Sequence, residues 1–198
     1  MNVKKPIIAG MMSLAALAPC KAQKAVRFMS ETGVTGVINK EASFYTGMNV
    51  ILPRGKNMTD FYVGTGFTPD KTVFLDGLII NNYTWTKNLS SWARELFTTS
   101  KNWTKSTLEI APLRANTEKG RFHFSLAPAY TMYADFKNGE KCSQGVNTIF
   151  QTTYSLSQGD QLFFEAKYMS EPARNLLKTH FGKLKNNISY MVSYMKNF

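Results

Sequence analysis

The stretch RFHFSLAPAYTMYADF, residues 121–136, changes character at every second position. One parity carries Phe122, Phe124, Leu126, Pro128, Tyr130, Met132, Ala134 and Phe136. The other carries Arg121, His123, Ser125, Ala127, Ala129, Thr131, Tyr133 and Asp135. A period of two belongs to a β-strand, whose side chains point alternately to two faces. Here one face is apolar and bracketed by aromatics, and the other is small and polar.

The pattern recurs. VNTIFQTTYSL sets Val146, Thr148, Phe150, Thr152, Tyr154 and Leu156 against Asn147, Ile149, Gln151, Thr153 and Ser155. QLFFEAKYM sets Leu162, Phe164, Ala166 and Tyr168 against Gln161, Phe163, Glu165 and Lys167, and the SQGD between these two reads as a tight hairpin turn. Weaker alternation, interrupted by Gly47, Gly64, Gly66 and Gly77, marks Val26–Ile38, Ser43–Leu52, Asp60–Thr68, Thr72–Trp85 and Trp103–Leu113. With residues 188–198 this makes nine candidate strands. Short polar connections at 68–71, 114–120 and 157–160 alternate with longer ones at 86–102, 137–145 and 170–187. Within the longest, NLSSWARELF suggests a helical turn capped by Ser90 or Ser91.

The N-terminus reads as an export signal. A basic start at Lys4 and Lys5 precedes an apolar run from Pro6 to Ala18, and the small residue Ala22 offers a cleavage point. The expected division is a signal peptide at 1–22 and one β-domain at 23–198. Cleavage removes Lys4, Lys5 and Lys21 and no acid, lowering the formal net charge of +11 by three. Cys20 would leave with it, and Pro19 before it argues against lipidation. Cys142 then has no partner, so a disulfide framework is excluded. No later apolar run approaches the roughly 18 residues of a membrane-spanning helix.

The last strand carries the most specific likeness. Ile188, Tyr190, Val192 and Tyr194 alternate toward a terminal Phe198. This resembles the C-terminal recognition signal of bacterial outer-membrane β-barrel proteins, with Lys196 as a departure from it. The resemblance implies an up-and-down antiparallel transmembrane barrel with short periplasmic turns and longer outer loops. It also implies outer-membrane lipid and the barrel-assembly machinery as partners, the latter reading Tyr190, Val192, Tyr194 and Phe198. Physics agrees: in lipid every backbone amide must be paired, so a sheet has to close on itself. Single-chain bacterial barrels favour even strand numbers, so nine candidates point to eight strands, with Val26–Ile38 as a plug or lead-in, or else to ten. A soluble periplasmic ligand-binding barrel, with the aromatic face turned inward, is the rival.

Chemistry is sparse. The chain has two histidines, His123 and His180. A Ser125–His123 pair at i, i+2 on one strand face is spaced about 6–7 Å, too far for direct proton transfer. No Gly-x-Ser-x-Gly elbow, paired Cys/His metal spacing or phosphate loop occurs. No cofactor is expected. The lysines are scattered through turns and do not interleave with aromatics, which disfavours nucleic acid. The Asn-x-Ser/Thr triplets at Asn57, Asn82, Asn88, Asn102 and Asn187 matter only in a glycosylating host. Arg121, His123, Asp135, Glu165 and Lys167 are candidate lumen residues, expected to pair across the interior and close it, or else to line a narrow pore for small solutes. Arg174, Lys178, Lys183 and Lys185 form a basic loop suited to anionic lipid head groups. The function expected is structural or surface-interacting, with a monomer favoured.

Overall fold

The computed structural model describes residues 26–136, 141–156, 159–170 and 187–198. Among these residues there are ten strands and no α-helix: β1 (Arg27–Val37), β2 (Ser43–Arg54), β3 (Asn57–Phe67), β4 (Val73–Thr86), β5 (Leu89–Ser100), β6 (Thr104–Lys119), β7 (Phe122–Asp135), β8 (Lys141–Ser155), β9 (Gln161–Tyr168) and β10 (Ile188–Asn197). Each strand is antiparallel to its chain neighbours, and β1 pairs with β10 from Met29↔Asn197 to Val37↔Ser189. The sheet is therefore a closed up-and-down barrel of ten strands, and no edge is left unpaired. Residues 1–22, expected to be a signal peptide, and the basic residues Arg174, Lys178, Lys183 and Lys185 lie outside the described residues, as does His180.

Val26–Ile38 is a barrel strand and neither plug nor lead-in. The tenth strand is β5, which occupies the segment expected to be a loop with a helical turn. NLSSWARELF is extended and pairs with β4 and β6 along its length. The connection expected at 114–120 is also mostly strand: β6 runs to Lys119, and the hairpin is made by Gly120, with φ +61°, and Arg121. One missed strand inverts the end assigned to every connection on one side of it. Residues 68–71, expected at the short-turn end, instead share an end with 38–42, 101–103, 136–140 and 169–187. The opposite end holds both termini of the barrel and the connections 55–56, 87–88, 120–121 and 156–160.

The faces sort as the alternation of β7 requires. Leu126 is 52% exposed on the outside, whereas Ala127 and Ala129 on the inside are 1% and 0% exposed. Phe28, Phe44, Val63, Val73, Val146 and Ile188 continue the apolar outer surface around the ring. Inside, β5 to β8 build a tight wall from Trp92, Ala111, Ala127, Ala129 and Ile149. Alanines suit a narrow bore, where larger side chains from facing strands would collide. The β6–β7 ladder shifts register between Ile110 and Ala115. Pro112 and Pro128, each lacking an amide donor, sit at that break, where a proline removes least hydrogen bonding.

The wall made by β1 to β4 is built differently. Gly47 and Gly64 are paired across β2 and β3, and the Tyr62 ring lies flat over both. A Cβ on Gly64 would fall 1.9 Å from the Tyr62 hydroxyl, and one on Gly47 would fall 2.5 Å from the ring. Gly33 makes the same allowance for Tyr45, whose hydroxyl lies 2.7 Å from where a Cβ would stand. Glycine therefore lets large aromatics lie along this wall instead of projecting into the lumen.

Candidate functional site

Four charged side chains meet inside the barrel. Arg94 on β5 donates from Nε to Glu109 Oε2 at 2.5 Å, and from Nη1 and Nη2 to the two oxygens of Glu165 at 2.8 and 3.0 Å. Lys167 on β9 donates to both oxygens of Glu109, at 2.9 and 3.1 Å, and lies 3.9 Å from Glu165. Since β5 and β9 stand four strands apart around the ring, the Arg94–Glu165 fork is a strut across the lumen. The tetrad carries two positive and two negative charges.

Moving such charges from water costs several kcal/mol each unless every lone pair and proton is matched. Here the matching is extensive. Thr131 Oγ1 and Asn147 Nδ2 donate to Glu109 Oε1 at 3.2 and 2.8 Å, and Gln151 Nε2 donates to Glu165 Oε2 at 2.7 Å. Asn147 in turn accepts from Ser170 N and Oγ, each at 2.8 Å, tying the end of β9 into the same network. Arg94 also lies 4.8 Å from the Trp92 ring centroid, which adds a cation–π contact.

The structure joins two of the five sequence-expected lumen residues, Glu165 and Lys167, and supplies partners that sequence reasoning did not single out. Arg94 was concealed in the supposed loop. Glu109 lies in a recognised strand, and an acid at an inward parity position was its only signal. Asp135 is buried nearer the 136–140 end, where the Tyr133 hydroxyl donates to it at 3.5 Å. It is paired in register with Lys105, itself fully buried beside the rings of Trp103 and Tyr133. His123 is half-buried near the opposite end, paired in register with Glu118. Ser125 Oγ donates to Gln151 Oε1 at 3.3 Å rather than serving His123. Arg121 is exposed in the hairpin and joins none of them. Among the described residues, no group of three or more His, Cys, Asp or Glu side chains is placed to hold a metal ion.

Against the tetrad, toward the end that carries 169–187, lies a cavity of about 180 Å³. Tyr45, Tyr62 and Phe74 form its aromatic wall, Glu31 and Asp76 face it, and the tetrad closes it on the other side. Tyr45 donates to Glu31 Oε1 at 3.0 Å and Asn49 Nδ2 donates to Glu31 Oε2 at 2.8 Å.

At the rim outside the strands, two carboxylates have depressed pKa values. Asp70 accepts from the Thr68 hydroxyl and from the Thr72 amide, both of which favour its charged form. Asp160 accepts from the Tyr194 hydroxyl at 2.5 Å and from the Asn197 amide at 3.0 Å, with the same effect. Asp160 thereby ties the β8–β9 turn to the end of the closing strand.

A closed antiparallel ring, apolar outside and polar within, answers the fold question. The fold resembles that of outer-membrane β-barrels. No protein-family model and no curated protein sequence matches the chain. Among solved structures, the barrel is similar to outer-membrane-expressed OmpT of Vibrio cholerae, at 10% identity and a TM-score of 0.39, covering 88% of this chain and 62% of that one. The in-vitro folded trimer form of the same protein matches at 9% identity and a TM-score of 0.38, covering 79% and 57%. The present chain thus spans about three-fifths of the length of those proteins, between 57% and 62%.

Proposed function

We propose that the protein is an outer-membrane barrel of a Gram-negative bacterium, exported by residues 1–22, that acts as a structural or surface-interaction element and not as an open pore. The observation that carries this reading is the Arg94–Glu165 strut. A neutral, hydrogen-bonded bridge across the bore is the opposite of a pore lining, where binding must be weak enough for solutes to leave. Lipid as the surroundings is supported by the outer face, because soluble monomers rarely expose contiguous apolar patches larger than a few hundred Å². Lipid and the assembly machinery are the partners this reading requires. Ile188, Val192 and Tyr194 are exposed on the outer face of β10, and Tyr190 packs over Gly36 on β1. Phe198 follows the strand, with its amide donating to the carbonyl of Phe28 at 3.1 Å.

Planar-bilayer recording on refolded protein, with heat-modifiable gel migration as the index of folding, tests the proposal. The expected result is folded protein without stepwise conductance. Reproducible single-channel steps would replace this reading with the narrow-pore one, and recovery of all the protein in the soluble periplasm would remove both.

A further inference from the structure

We propose that the short-turn end of the barrel is a docking surface for anionic phospholipid, whose phosphate head groups lie against a ring of exposed lysines and arginines. The inference deepens the outer-membrane reading and rests on it, since the ring has lipid beside it only if the apolar outer face does.

Cations stand at almost every turn of that end. Arg54 and Lys56 bracket the β2–β3 hairpin, and Lys87 lies in the β4–β5 turn. Lys119 and Arg121 flank Gly120, while Arg27 and Lys196 stand at the ends of β1 and β10. All seven are exposed. The acids there, among the described residues, are Glu118 and Asp160, and Asp160 already accepts from Tyr194 and Asn197. None of the seven cations forms an ion pair with a described residue, and Lys196 acts on Asp160 only at longer range. Such a concentration of one sign attracts anions. The ring is broken at the β8–β9 turn, where Asp160 stands.

Charge alone does not separate a lipid phosphate from a soluble acid, but the aromatic side chains beside the ring do. Arg27 directly precedes Phe28 and Arg121 directly precedes Phe122; Lys87 follows Trp85 by two residues, as Lys196 follows Tyr194. All four aromatics are exposed. Trp85 meets Tyr83 edge-on with ring centroids 4.7 Å apart, and Phe122 lies 4.7 Å from the Tyr154 ring. Rings of this kind gather at the boundary between hydrocarbon and water. At about 3.3 Å per strand residue, cations one or two positions away stand at head-group level. Their stems can lie along apolar surface while the charge reaches a phosphate. A soluble partner would approach along the barrel axis, yet two of the cations face sideways. Lys119 is paired in register with Phe122, and Lys196 shares the outward parity of Val192 and Tyr194.

Quenching of tryptophan emission by brominated lipid tests the surface at Trp85, which is 55% exposed while Trp92 and Trp103 are each 4% exposed. Refolded protein is placed in phosphatidylcholine vesicles that carry brominated phosphatidylcholine or brominated phosphatidylglycerol, with both leaflets alike. One lysine or arginine near an anionic lipid surface is worth about fivefold, so phosphatidylglycerol should win the positions beside Trp85 by at least about that factor. The preference should vanish near 1 M salt, where the screening length falls to about 3 Å. Replacing Arg54, Lys56 and Lys87 together by glutamine should bring it below about twofold. Lys40→Gln with Lys71→Asn, at the opposite end, should leave it unchanged. Equal quenching by the two lipids would overturn the proposal and leave the ring to a soluble acidic partner. A preference that survives high salt, or one kept by the folded triple variant, would also overturn it. If the triple variant does not fold, the salt series on the wild type decides. Protein that enters neither kind of vesicle would overturn the outer-membrane reading as well, whereas insertion without lipid preference overturns this inference alone.

Discussion

Arg94 and Glu165 lie on strands four places apart around a ring of ten and meet across the lumen through two parallel hydrogen bonds of 2.8 and 3.0 Å. The bidentate geometry fixes the guanidinium plane, and the remaining Nε proton goes to Glu109. The interior is thus held from side to side as well as around its circumference.

Removing Arg94 alone should be worse than removing the pair. Arg94→Met leaves Glu165 buried with Lys167 as its nearest cation and should cost about 3–5 kcal/mol. The double variant Arg94→Met, Glu165→Gln keeps the Glu109–Lys167 pair and should recover most of that loss. Reversible urea unfolding in micelles, followed by tryptophan emission, measures both. Equal destabilisation of the single and double variants would show that the strut has no energetic coupling.

The glycine pair beneath Tyr62 predicts a steric coupling. Gly64→Ala should destabilise by about 1–3 kcal/mol, because the new methyl would fall 1.9 Å from the tyrosine hydroxyl and 2.7 Å from the Thr46 carbonyl oxygen. Tyr62→Leu combined with Gly64→Ala should cost less than the sum of the two singles, because the shortened side chain vacates the space. A double-mutant cycle reads this directly, and strict additivity would contradict it.

Asp160 gives a pH dependence. Its charged form accepts from Tyr194 and Asn197, so its folded-state pKa is depressed. A depressed acid contributes stability in full above the unfolded value of about 4, and that contribution disappears as pH falls through the folded-state value. The urea midpoint of the wild type should therefore fall more steeply below about pH 4 than that of Asp160→Asn. Parallel profiles would mean that the Asp160 contacts contribute nothing.

Phe198 separates recognition from energetics. In the folded barrel it contributes one terminal backbone bond, to Phe28, and its side chain is 72% exposed. Deleting it should change refolding yield into synthetic vesicles only slightly and reduce the heat-modifiable, membrane-assembled fraction in cells several-fold. Normal assembly in cells would remove Phe198 as an assembly signal.

The strongly alternating strands β7 to β10 were legible because one parity is nearly all apolar and the other nearly all polar or small. β5 was not. Its inner parity holds Trp92, Arg94 and Leu96 and its outer parity holds Ala93, Glu95 and Phe97, so neither face is uniform and the period of two is lost. The serines before Trp92 then imitate a helix cap. Arg121 was carried inward by extending the β7 parity one residue past Phe122, beyond the point where the hairpin turns. Glu165 and Lys167 were legible as inward charges, but their partners were not, because only ring closure brings β5 and β6 opposite β9. The cavity was equally hidden, since it exists through what glycines leave out of the β1–β4 wall.

The seam between β1 and β10 makes assembly a problem of order. The backbone groups of the first strand that face away from β2 are satisfied only by the last strand, so a nascent nine-strand sheet carries two open edges until Ile188–Asn197 docks. A ring, however, has no intrinsic beginning. A circular permutant opened at the 87–88 hairpin would draw on the same ladder of pairs but would close between β4 and β5. The position of the ends therefore governs which strands wait longest in the open, while the finished circle keeps no record of it.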